Sequence, residues 1–230
     1  MYNKLYTAVG HSDIRGTLNG RRYPVVMLNG KEHILDVQEM VLWGVLNWRI
    51  LTVEETEKFY DNKKNEYGIE PSRSFDQCMH RLIQRGLIAE GSGNTDEESL
   101  YDLVSDLQII PISDNLLLRT FSFIRLTVFG GVPYSVTKQI FNKDKRTDVE
   151  KKTYRLAKQA RLSTAEIMKC IERNILDFKS EDHMMETLYH DDVTTIDNIA
   201  EYARSMSAFR PVLTSVANLY LRRQIIFGRM

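Results

Sequence analysis

The chain has 230 residues, 43% of them hydrophobic and 27% charged, enough for one substantial core or two small ones. Its 31 basic and 31 acidic side chains cancel, which excludes a uniformly basic nucleic-acid coat. Two cysteines, Cys78 and Cys170, fall at apolar positions of expected helices, so buried reduced thiols and a cytoplasmic setting are expected rather than a disulfide framework.

The first segment, MYNKLYTAVGHSD, lacks the apolar run of a secretory signal, and residues 1–35 read as extended. Val25 to Leu28, then Asn29-Gly30, then Lys31 to Leu35 predict a hairpin, because Asn-Gly supplies the positive φ of a type I′ turn. Asp36 with Glu39 forms a capping box ahead of a helix over 37–49. Val37, Met40, Val41, Trp43, Val45, Leu46 and Trp48 make that helix apolar nearly all round, as a central buried helix should be. Thr52 with Glu55 opens a second helix that runs to Glu66 and stops before Tyr67-Gly68. After a loop through Pro71, Ser74 with Gln77 starts a third helix, over 74–85.

That third helix is the most informative stretch. Phe75, Cys78, Met79 and Leu82 recur at i, i+3, i+4 and i+7, so one face is apolar. The other face carries Asp76, Gln77, His80, Arg81, Gln84 and Arg85, side chains suited to base edges and phosphates. Gly86 stands where a helix end needs φ > 0, and Leu87-Ile88-Ala89 reads as a strand. The order hairpin, helix, helix, loop, helix, strand over residues 34–95 resembles the winged helix-turn-helix DNA-binding superfamily, as in bacterial, plasmid or phage regulators. The resemblance implies that helix 74–85 enters the major groove of double-stranded DNA, with Arg73, Ser74, Gln77, His80, Arg81, Gln84 and Arg85 as DNA-binding residues.

One stretch departs from that family. A wing that grips phosphates is basic or polar, whereas Gly91-Ser92-Gly93-Asn94-Thr95 runs into Asp96-Glu97-Glu98. Thr95 with Glu98 caps a further helix carrying Leu100, Leu103, Val104 and Leu107, so the second wing strand is in doubt and the tip is left with a Gly-Ser-Gly backbone.

Ile109 to Ile112 reads as a connector, which divides the chain into a winged-helix-like domain, 1–110, and an all-helical domain, 111–230. The fold class is therefore mainly α with a small β-sheet. Residues 113–129 predict an apolar helix ending at Gly130-Gly131; Arg119 and Arg125 interrupt it, so it reads as buried and not as a membrane span. Further capping boxes stand at Thr147 with Glu150 and Ser163 with Glu166, and Pro211 suits the first turn of a last helix, 211–227. The aromatic residues of this half sit mostly at apolar positions and read as core. The last helix is apolar enough for a dimer seam, and a homodimer would match a palindromic site.

Charge is unevenly spread. Residues 138–161 hold nine basic and three acidic groups, while 90–106 and 181–201 hold six and seven acidic groups with no Lys or Arg. Within the basic block, residues 153–174 place Leu156, Ala157, Ala160, Leu162, Ile167 and Cys170 at the spacing of the unwinged bihelical DNA-binding unit, with Arg161 where glycine is usual. As such a unit it turns Ser163, Thr164, Glu166 and Lys169 to DNA, with the basic block Lys143, Lys145, Arg146, Lys151, Lys152, Arg155 and Lys158 beside it. As two bundle helices it does neither.

No phosphate-binding Gly-rich loop, nucleophile elbow or Cys-x-x-Cys pair is present, so no enzyme, cofactor or zinc ribbon is expected. His183 and His190 lie two helical turns apart, about 10 Å along the axis, too far to share a metal ion without ligands from other segments. His11, Ser12 and Asp13 are adjacent, but a catalytic triad is built by convergence in space. The function expected is sequence-specific binding of double-stranded DNA by a transcriptional regulator with no effector specified. The alternatives are a protein-interaction module that keeps the winged-helix shape, or a plasmid or phage replication initiator.

Overall fold

Five helices begin where a capping box tells them to. Asp36, Thr52, Ser74, Thr147 and Ser163 each accept the N–H of the residue three positions on, whose own side chain returns the bond. A computed structural model describes residues 3–16, 22–70, 72–112, 146–191 and 193–229. Among these the fold is mixed α/β, with about half the residues helical and small antiparallel sheets. The expected apolar helix over 113–129, with Lys143 and Lys145, lies outside the described residues.

The first half comprises β1 (Asn3–Ala8), β2 (His11–Gly16), β3 (Arg22–Leu28), β4 (Lys31–Ile34), α1 (Val37–Leu46), α2 (Val53–Glu66), α3 (Phe75–Gln84), β5 (Ile88–Gly93), α4 (Asp96–Val104) and β6 (Gln108–Pro111). Strands β2, β3 and β4 form a meander whose last turn has Asn29 at φ 52° and Gly30 at φ 74°. The strand after α3 is paired from an unexpected direction. β5 runs antiparallel to β1, from Asn3 opposite Gly93 to Ala8 opposite Ile88. On its other side β1 bridges Leu51 through Tyr6 N–H to Leu51 O (2.8 Å) and Leu51 N–H to Tyr6 O (3.1 Å).

β5 leads directly into α4, which lies across it at very short range. A Cβ on Gly91 would stand 2.2 Å from Leu103 N, and one on Gly93 2.5 Å from Glu98 Cβ. The glycines of the expected wing tip are therefore packing residues. Their neighbouring amides are spoken for as well: Ser92 N–H donates to Asp102 Oδ2 (2.8 Å) and Asn94 N–H to Glu98 Oε2 (2.9 Å).

The second half comprises α5 (Asp148–Gln159), α6 (Thr164–Glu172), α7 (Glu181–Tyr189), α8 (Ile199–Ala203), α9 (Phe209–Leu221) and β7 (Ile225–Gly228). It is not all helical, and the last helix does not reach residue 227. Arg223 adopts φ 58°, its N–H bonds to Tyr220 O, and the Gln224 N–H bonds to Leu219 O, which ends α9 in a Schellman motif. Most such ends carry glycine, and the arginine concealed this one. β7 then pairs antiparallel with β6, so the segment expected to be a connector is a strand. The proposed boundary after residue 110 thus falls inside a strand that the chain's last residues complete. Helix α1 likewise stops at Leu46 and not near 49, with Trp48 at φ 56°.

Buried side chains from both halves form one continuous core. Its polar centre is Tyr220, 1% exposed. The Tyr220 hydroxyl accepts the Trp48 N–H (3.0 Å), shares a hydrogen bond with the Thr7 hydroxyl (2.8 Å) and lies 3.3 Å from the Ala8 carbonyl oxygen. Burial pushes its ionisation up to about 12, so it stays neutral. Trp48 Nε1–H reaches the Ile225 carbonyl (3.2 Å), and Gly10 N–H the Phe227 carbonyl (2.8 Å). Tyr220→Phe keeps the ring and leaves the Trp48 N–H without its acceptor, while the Thr7 hydroxyl keeps the Arg49 carbonyl (2.8 Å). The expected loss is about 1–3 kcal/mol, read as a lower urea midpoint at unchanged m value. An unchanged midpoint would show that the hydroxyl contributes nothing to joining the halves.

Candidate nucleic-acid interface

Helix α3 is held by two consecutive buried residues of α1, Gln38 (4% exposed) and Glu39 (1%). Gln38 grips the loop that enters α3. Its Oε1 accepts Ser72 N–H (2.9 Å), Ser72 Oγ–H (2.7 Å) and Arg73 N–H (3.2 Å), while its Nε2 donates to Tyr60 Oη (3.1 Å). Glu39 grips the far end, pairing with Arg81 Nε at 2.8 Å through Oε1 and with Arg85 at 3.1 Å through Oε2. Arg85 also donates to the Ile34 carbonyl (2.8 Å), and Arg73 pairs with Asp36. The α3 C-terminus closes on Gly86, φ 72°, in a second Schellman motif.

The helix divides along its length as its periodicity requires. Cys78, Met79 and Leu82 are buried, whereas Asp76, Gln77, His80, Arg81 and Gln84 are exposed. Two of the expected contact residues already have local work. Ser74 Oγ accepts the Gln77 N–H (3.3 Å), and Gln77 Oε1 accepts the Ser74 N–H (3.2 Å), which leaves the Gln77 amide hydrogens outward. His80, Arg81 and Gln84 complete the open face. All three arginines, Arg73, Arg81 and Arg85, carry a carboxylate partner, a feature the helix's own sequence gave no sign of. Glu39 was legible as a capping residue, but its role as counter-ion to two arginines from α3 was not.

The local field is mixed. His33 is held below the ordinary imidazole range, first by burial and then by the cations Arg85 and Lys31. Burial favours the neutral form of Asp36, but the Glu39 N–H and Arg73 outweigh it and hold the carboxyl below its ordinary 3.8. Over residues 34–95 ten carboxylates face seven basic side chains.

The other expected DNA contacts are not brought to α3. That helix packs on α1 and β5, while α5, which carries Lys151, Lys152 and Arg155, packs on α6, α9 and β6. Lys151 pairs with Asp148 (2.9 Å), and Arg155 holds Asp177 through both carboxylate oxygens (2.6 and 2.7 Å). The bihelical unit over 153–174 does not present a reading face. Ser163, Thr164, Glu166 and Lys169 are all buried, because α6 is enclosed by α5, α8 and α9. Lys169 is fully buried and ends on Asp191 (2.9 Å), whose carboxyl is held far below the usual range by bonds from Thr194, Lys169 and Arg173. Cys78 and Cys170 are both buried free thiols, and burial pushes Cys170 up to about 12. Among the described residues no helix is long and apolar enough to cross a membrane.

Comparison with protein-family models, characterised proteins and solved structures finds no match to this chain.

The Asp36 carboxyl links this region to pH. Its depressed ionisation contributes stability that is complete above the ordinary value and is lost as pH falls through the folded-state value. Asp36→Asn keeps a capping side chain but removes that titration and the Arg73 pair. The urea midpoint of the variant should therefore fall less steeply than the parent's from about pH 5 to about pH 2. Parallel pH profiles would show that the carboxylate contributes no differential stability.

Proposed function

We propose that the chain binds double-stranded DNA with sequence preference through the outward face of α3 and acts as a transcriptional regulator. One observation carries this reading: the apolar side of α3 is buried while Gln77, His80, Arg81 and Gln84 stand exposed on a helix braced at both ends by α1. Such a helix fits the major groove, where Arg81 has the geometry for a guanine edge and the two glutamines for adenine. Arg73 and Arg85, at either end, then face the phosphates.

The arginines leave Glu39 and Asp36 to do so, which makes the complex less dependent on phosphate neutralisation than a basic winged protein. Each neutralised phosphate contributes a slope of about −0.9 in log K against log salt, so the two phosphate-facing arginines correspond to roughly −2. Glu39→Gln preserves the capping acceptor and frees both arginines, so duplex binding should tighten. Arg81→Ala should weaken binding to a selected sequence by about 1–3 kcal/mol and relax its base preference. Selection from a random duplex library at low salt tests the proposal directly, and recovery of no enriched sequence would sink it.

A second reading has its own support. Ile34 (64% exposed) and Val37 (63%) stand beside the carboxylates that neutralise the arginines, and an apolar spot next to compensated charge suits a protein partner better than a phosphate backbone. The double variant Ile34→Asp, Val37→Asp separates the two readings. It should weaken binding to a protein partner while acting on DNA only through added negative charge, an effect that salt removes.

A further inference from the structure

Away from α3, a cavity of about 240 Å³ lies between the β3–β4 turn and the β6–β7 pair. Met27, Leu28, Ile109, Ile110, Ala157 and Ile226 give it apolar walls. Gly228 keeps it open, since a Cβ there would stand 2.8 Å from Ile110 Cδ1 and 3.6 Å from Gln108 Oε1.

His11, Asn29, Gln108 and Arg161 also line this space. Gln108 is 9% exposed, yet its amide makes no hydrogen bond among the described residues. That amide lines the cavity and is free to bond a ligand there. Arg161 is exposed and makes no ion pair or hydrogen bond among the described residues, unlike the arginines of α3. The α5–α6 loop fixes its place beside β6, because the Leu162 carbonyl accepts the Ile109 N–H at 2.9 Å and Ser163 bridges Gln108. His11, which is exposed, stands at the cavity as well.

We infer that this cavity binds a small carboxylic acid with an apolar body, its carboxylate received by Arg161 and Gln108. A guanidinium fork matches a carboxylate in two parallel hydrogen bonds, and the Gln108 amide supplies another donor. The apolar walls take the remainder. A phosphate dianion fits poorly, because one cation and one neutral amide do not balance its charge against such walls. At about 30 Å³ per water-sized group the cavity admits roughly eight non-hydrogen atoms, the size of a branched aliphatic acid, with a small arylacetate of about ten at the upper edge. The inference is independent of how α3 is used.

The test uses the full chain with 4-methylpentanoate and phenylacetate, each against its uncharged amide, followed by calorimetry and thermal unfolding. The acids should bind saturably and the amides about tenfold more weakly or worse. Arg161→Gln, at an exposed position, should fold normally and lose about tenfold in acid affinity. Gln108→Met, which removes the amide at nearly constant shape, should fold as the parent does and shrink the Tm shift that the acids produce. Absence of binding by both acids at millimolar concentration, equal binding of acid and amide, or unchanged affinity in Arg161→Gln would each overturn the inference.

Discussion

One buried hydroxyl joins the two ends of this chain. Tyr220 comes from the penultimate element, and its oxygen meets Thr7 on the first strand and the Trp48 amide at the end of α1. In a low-dielectric interior such a hydrogen bond is strong, because the buried Tyr220 hydroxyl has little access to water. The orientation of α1 follows from that junction, and the orientation of α3 follows from α1 through Gln38 and Glu39. The helix that faces outward is therefore positioned by contacts that begin more than a hundred residues away in sequence.

Local chemistry was the legible part of the sequence. Ser, Thr or Asp followed three positions later by Glu or Gln marks a helix start because both partners lie within one turn, and five such starts are in place. The Asn29-Gly30 turn and the Gly86 helix end were legible for the same reason. Helix ends at Trp48 and Arg223 were not, since bulky residues there adopt a left-handed conformation that tertiary contacts impose. Strands β6 and β7 are four residues each and pair across more than a hundred positions, which no local pattern encodes. The partition of α3 into buried and exposed faces was readable from its period. The carboxylates that meet its arginines belong to another helix and were not.

That pairing alters what an outward arginine means. Arg81 is half exposed, yet its charge is already partly spent on a carboxylate that is itself almost wholly buried. A ligand for this face competes with an internal anion, so affinity depends on the difference between two ion pairs and not on one. Arg161, with no such competitor among the described residues, is the more available cation.

The pairing of β1 with β5 and of β6 with β7 has a consequence for how the molecule is made. During synthesis the first strand emerges some eighty residues before its partner, and β6 waits longer still for the closing residues. Each pairing closes a long loop, and the entropy of that closure precedes the contacts that reward it. Folding should therefore be late and slow, completed only once β7 leaves the ribosome. Residues 34–95 excised alone would lack the strand that satisfies β5, leaving an open edge ready to pair with another copy.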